Sequence, residues 1–203
     1  MKSLLGFGGV VCGLVVVMCL GGMAKTKSTI VVMDFQNKSK IGGFALGSGA
    51  SDMLTTALVK TRKFDVIERD KLKSLLKEQQ LGETGLVDSS RASQLGKLLG
   101  AQYVVVGSIT EYGMSKQSGG VAGISGSKTI YRTSVDIRII NTTTGKITYA
   151  ENGNGEESSS SANILGLAGG GSEEAFNEKK GNESLRKAIY DVCDKLKNES
   201  LEE

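Results

Sequence analysis

The stretch GSGASDMLTTALVKTRKFDVIERDKLKSLLKEQQ, Gly47 to Gln80, holds helix, strand and helix signals in close succession, and its reading decides the fold. Ala50, Met53, Leu54, Ala57 and Leu58 fall at i, i+3, i+4, i+7 and i+8, one apolar stripe along a helix, with Ser48 just ahead as its expected N-cap. Phe64, Asp65, Val66 and Ile67 make a short strand, and Leu72, Leu75 and Leu76 resume helical spacing after Glu68, Arg69 and Asp70. A helix that turns into a strand feeding a second helix predicts an α/β layer packing.

The flanking sequence extends that layer. Upstream, Thr29 to Phe35 is a β-branched apolar run of strand length, expected at the centre of a sheet. Downstream, Asp88 or Ser89 starts a third helix whose Ala92, Leu95, Leu98 and Leu99 are expected to face the core before Gly100 ends it. Tyr103 to Ile109 is apolar on both faces at its start, as a central strand is. Between Ile130 and Ile140, Tyr131, Thr133, Val135, Ile137 and Ile139 alternate with Arg132, Ser134, Asp136 and Arg138, the pattern of a strand with one wet face. Asn141 to Gly145 reads as a hairpin loop and Lys146 to Glu151 as the partner strand. A last helix carries Leu185, Ala188, Ile189, Val192, Cys193 and Leu196 on one face, with a break expected at Gly181 and Cys193 as a small buried hydrophobe. The fold expected is α/β (α+β), a mixed β-sheet packed by about four helices.

Composition removes several function classes. The 203 residues include no histidine, tryptophan or proline, so the commonest general base and metal ligand is missing and stacking chemistry is poorly supplied. The formal charge of +3 is scattered, which does not predict a nucleic-acid face. The carboxylate pairs Glu68 with Asp70 and Glu156 with Glu157 sit on charged stretches and read as solvated faces. The nearest approach to a phosphate loop, Gly120 to Thr129, has Ser127 where glycine must precede Lys128, and a strand rather than a helix follows. No catalytic, cofactor or metal residues are therefore assigned.

Four segments are expected. Residues 1–24 form a secretory signal, with Lys2, an apolar run from Leu4 to Leu20, and Gly22-Met23-Ala24 before a cut after Ala24. Cys19 is the candidate lipidation site, although Met18 stands where a lipoprotein signal wants a small residue. Residues 25–151 form the α/β domain, 152–172 a Gly/Ser-rich loop, and 173–203 the C-terminal helix packing on the same domain.

The wording SDMLTTALVKTRKFDVIERDKLKSLLKEQ, followed by VVVGSITEYGMSKQSGG and VDIRIINTTTGKI, resembles the curli-production assembly/transport (CsgG-type) family of bacterial envelope proteins over residues 28–150. The resemblance implies a CsgG-type periplasmic domain with no catalytic role. It implies protein partners in the envelope, self-association into a homo-oligomer among them, and a place in the periplasm or on the periplasmic face of the outer membrane. Three functions follow from it: contact in secretion or assembly at the outer membrane, an oligomeric secretion pore, or a lipoprotein activator of a cell-wall synthase. In the family's secretion channel two long β-hairpins per subunit build a barrel. The segments at those positions here, Tyr112 to Tyr131 and Asn152 to Ser172, are dominated by serine and glycine, and the expectation from composition is water-exposed loops.

Overall fold

The computed structural model describes residues 27–78, 89–121, 124–164 and 176–199. Its elements in chain order are β1 (Ser28–Val32), β2 (Gln36–Asn37), α1 (Gly43–Thr61), β3 (Phe64–Val66), α2 (Arg69–Glu78), α3 (Ser89–Leu98), β4 (Tyr103–Val121), β5 (Ile124–Asn141), β6 (Ile147–Ile164) and α4 (Glu178–Lys197). One mixed sheet runs in the order β3-β1-β4-β5-β6, with β2 also beside β4. The pairs β1·β3, β1·β4 and β2·β4 are parallel, while β4·β5 and β5·β6 are antiparallel.

Strand alternation sends side chains to two cores. Ile30, Val32, Tyr103, Val105, Ile109, Val135, Ile137 and Ile139 pack against α1 and α4, where Leu54, Leu58, Leu185, Ile189 and Cys193 lie. Val31, Met33, Val104, Val106 and Ile140 face the opposite layer, with Leu72 of α2 and Ala92 and Leu95 of α3. Strand β1 and the start of β4, residues 103–106, are thus buried on both faces, as their apolar runs require.

Several expectations are corrected. Helix α1 starts at Gly43, with Gly42 in the left-handed region at φ 88, so Ser48 is one turn inside and is not its N-cap. Leu98 is 61% exposed, and the half-buried Leu99 takes its place beside the second core. Helix α4 runs through Gly181 without a break and starts at the cap Asn177, whose Oδ1 accepts from the Lys180 N–H at 3.2 Å.

The largest correction concerns the two segments expected as loops. Residues 112–121 and 124–131 belong to β4 and β5, and 152–164 continue β6 well past Glu151. Residues 165–172 lie outside the described residues, as do Cys19, the whole 1–24 segment and Asp88.

Candidate interaction surface: the projecting strands

The base of the projection is where α4 meets the sheet. Helix and strand approach closely because β6 carries glycine at the contact: a Cβ on Gly153 would lie 2.2 Å from the Ala188 carbonyl oxygen, and one on Gly155 1.9 Å from that of Ser184. Backbone packs on backbone there. Ser184 is fully buried and satisfied, its Oγ donating to the Gly181 carbonyl at 2.7 Å and sharing a 2.6 Å hydrogen bond with Thr133 Oγ1 of β5. At the start of α4 the Phe176 ring stands 5.1 Å from Tyr112 and 5.6 Å from Tyr131, closing the core under the sheet.

Beyond this point the sheet continues. A register shift between Ile109 and Glu111 places an extra residue in β4 opposite β5, a bulge that bends the strand as it leaves the helical layers. Pairing then runs unbroken from Ser115↔Ile130 to Val121↔Ile124, and from Ile130↔Ser158 to Ile124↔Ile164. Residues 115–121, 124–130 and 158–164 therefore form a three-stranded arm reaching about 23 Å beyond the row that holds Tyr131, at roughly 3.3 Å per residue. Thr129, Ile130 and Tyr131 are buried in succession at its root, whereas Ser115, Lys116, Gln117, Ser118, Lys128, Ser158 and Ser160 are exposed. Among the described strands, β6 is the outermost on one side and β4 is marginal on the other once past β2.

Charged groups brace the root. Glu157 accepts from Lys187 Nζ at 2.6 Å and from Lys180 Nζ at 3.2 Å, and Lys180 also reaches Glu183 at 3.0 Å. Those hydrogen bonds, first from Lys187 and then from Lys180, lower the Glu157 carboxyl to a pKa of about 2. On the opposite, wet face Arg132 Nε donates to Glu156 at 3.2 Å, and Ser134 Oγ donates to Asn154 Oδ1 at 2.9 Å. The pair Glu156 and Glu157 thus splits across the strand, each carboxylate engaged by cations on its own face.

A second constellation lies at the carboxyl end of β1. Arg69, the first residue of α2, is 6% exposed, and its guanidinium joins Asp34 after β1 and Asp52 of α1. It also donates to the Ser48 carbonyl at 2.9 Å and the Ser48 Oγ at 3.1 Å. With its fork committed to two carboxylates and a carbonyl, Arg69 ties β1, α1 and α2 together and is not disposed to capture an external anion. Sequence reasoning took the Glu68-Arg69-Asp70 run as a solvated face and missed this. The available signal was Asp34, a lone carboxylate closing an apolar strand. Among the described residues, no group of three or more acidic or cysteine side chains could hold a metal ion. A groove of about 480 Å³ between α1 and α4 is lined by Leu46, Met53, Tyr112, Phe176, Glu178 and Asn182.

Fold and site together define a helix-backed mixed sheet whose last three described strands outrun their helices. The chain belongs to the CsgG family, described as curli production assembly/transport component CsgG, whose model matches residues 18–203. A Neisseria meningitidis serogroup B protein described as a putative lipoprotein is 30% identical over 184 residues, covering 85% of this chain and 78% of its own. The curli production assembly/transport component CsgG of Escherichia coli K12 is 35% identical over 119 residues, which cover 53% of this chain and 43% of that protein. This chain therefore spans less than half the length of that relative. Among solved structures, lipoprotein GNA1162 from Neisseria meningitidis superposes with a TM-score of 0.52 at 17% identity, covering 85% of this chain and 99% of the other, a likeness of fold.

Proposed function

We propose that this protein is an exported, non-enzymatic component of the cell envelope that acts by protein–protein contact in secretion or assembly at the outer membrane, with the projecting arm as its contact device. The observation that carries this reading is the arm itself: three strands continue well past the helices that stabilise them and place peptide groups at the sheet margins, where another strand can add. Family membership and the lipoprotein and curli-assembly descriptions of the relatives support the envelope setting. The partners are envelope proteins, further copies of this chain included.

The exposed side chains argue for a contact made in water. A strand that crosses a bilayer takes about 9–11 residues with an outward apolar face, whereas the exposed side chains among the described arm residues are serine, glutamine and lysine. The unbroken 18- and 19-residue strands favour a second reading, an oligomeric outer-membrane pore in which arms of neighbouring copies close a barrel. Lipidation at Cys19 would tether either form to the membrane.

Photo-crosslinking in intact cells separates these readings. A crosslinking residue at Lys116 or Ser160 should capture envelope proteins or a second copy, identified by mass spectrometry, while one at Thr56 on the exposed side of α1 should capture little. Equal capture from all three positions would overturn the arm as contact device. Detergent-dependent rings that conduct ions across a lipid bilayer would select the pore.

A further inference from the structure

The outward edge of β6 is closed over part of its length by side chains of α4. In an antiparallel strand every second residue turns both its N–H and its C=O away from a given neighbour, and at the root of β6 those residues are Asn152, Asn154 and Glu156. The Asn152 carbonyl accepts from Lys195 Nζ at 2.7 Å, the Asn154 N–H donates to Asp191 Oδ2 at 3.1 Å, and the Glu156 carbonyl accepts from Lys187 Nζ at 2.9 Å. The Asn152 N–H donates to Glu151 Oε1 at 2.9 Å. Peptide groups that a further strand would need are therefore already taken.

The match is periodic. Lys187, Asp191 and Lys195 stand four residues apart on one stripe of α4, a rise of about 6 Å per step, while alternate residues of β6 are about 6.7 Å apart. The helix runs against the strand, so one side chain meets each outward residue from Asn152 to Glu156. Lys195 also pairs with Asp191 at 3.2 Å and with Glu151 at 3.5 Å, which holds the stripe in place. Beyond Glu156 the stripe stops: its next member, Glu183, is engaged by Lys180 Nζ at 3.0 Å, and α4 itself begins at Glu178. The following outward residues, Ser158 and Ser160, are exposed, and among the described residues no side chain bonds to their peptide groups. Surface ion pairs alone would leave these charges on one another, whereas here they reach main-chain groups along a strand edge.

We propose that Lys187, Asp191 and Lys195 decide where along β6 another extended chain can join: they bar the root edge, above all to the same edge of a second copy in an antiparallel pair centred on Asn154, and leave pairing to begin at Ser158. A strand arriving at the root has to displace charge-assisted hydrogen bonds and bury the ions that make them. The part of this inference that concerns the arm rests on the arm as contact device; the barred root does not.

The test is self-capture in the purified full chain, with a photo-crosslinking residue at Asn154 or at Ser160 and the products read by mass. In the parent, capture of a second copy at Asn154 should be several-fold below that at Ser160. Lys187→Ala/Asp191→Ala/Lys195→Ala should raise capture at Asn154 several-fold and leave capture at Ser160 unchanged. Lys187→Met/Lys195→Met keeps aliphatic stems of similar length on α4 and should move Asn154 in the same direction, so the prediction stands on this variant if the triple one unfolds. Lys71→Met/Lys73→Met removes the same charge from exposed positions of α2 and should change neither site. Measurable capture at Asn154 in the parent equal to that at Ser160, no rise at Asn154 in a folded guard variant, or an equal rise in the α2 control would each overturn the proposal. A rise at Asn154 in the guard variants with no capture at Ser160 in any chain would uphold the barred root and overturn self-contact through the arm.

Discussion

Arg69 carries the sharpest consequence at the level of single residues. Removing it leaves Asp34, which is 15% exposed at its side chain, without a counter-charge, so Arg69→Ala should destabilise by about 3–5 kcal/mol in urea unfolding. Arg69→Lys should restore only part of that, since one ammonium cannot serve two carboxylates and a carbonyl in a fixed fork. Leu54, fully buried between α1 and the sheet, should cost about 2–5 kcal/mol on truncation to alanine, while Lys60→Ala, at an exposed site, should cost little. Comparable urea midpoints for those two variants would show that the helix phase is wrong. Glu157 gives a pH signature. Its folded pKa of about 2 lies below the ordinary 4.5, so its stabilising contribution is complete above about pH 4.5 and fades as the pH falls toward 2. The thermal midpoint of Glu157→Gln should therefore lie below that of the parent at neutral pH, and the gap should close across that acid window. Cys193, whose thiol burial first and Asp194 second push up to about 12, should resist thiol reagents until the chain unfolds.

Among the elements, α4 is held by features that sequence patterning shows unequally. Its apolar stripe from Leu185 to Leu196 was legible because burial at helical spacing leaves a periodic trace. The strand it rests on was not: Gly153 and Gly155 resemble loop residues, yet they are glycine because α4 lies on them backbone to backbone. Gly155→Ala should therefore push α4 off the sheet, at a cost of about 1–3 kcal/mol or more, and speed amide exchange in α4 ahead of α1. The same cause hid the arm. Alternation from Tyr131 to Ile139 records one buried face, but beyond Thr129 none of the described side chains of the arm is buried. Serine and glycine there have weak strand propensity. What extends the strands is pairing, since β5 has a partner on both sides from its root to Ile124. The Arg69 clamp was illegible for a different reason, because an ion pair between residues far apart in sequence leaves no local period.

At the scale of the whole molecule, the two cores lie back to back across β1 and β4, so the parallel part of the sheet is the interior and the antiparallel part reaches outward. Export is expected to remove residues 1–24, and the intact mass of protein recovered from cells should correspond to a chain beginning at Lys25. A mass that retains Met1, or one that adds diacylglycerol to Cys19, would contradict that processing. The arm also constrains how copies could join. With its three described strands in alternating direction, the arm's two described margins, β4 and β6, run the same way. Copies arranged by rotation about an axis along the strands would set β6 of one beside β4 of the next in parallel, whereas an antiparallel seam through these strands requires a two-fold axis normal to the sheet, joining β6 to β6. Parity of the described strands thus separates an open-ended or ring-forming geometry from a closed pair, and the direction of the first inter-chain hydrogen bonds would reveal which one the protein adopts.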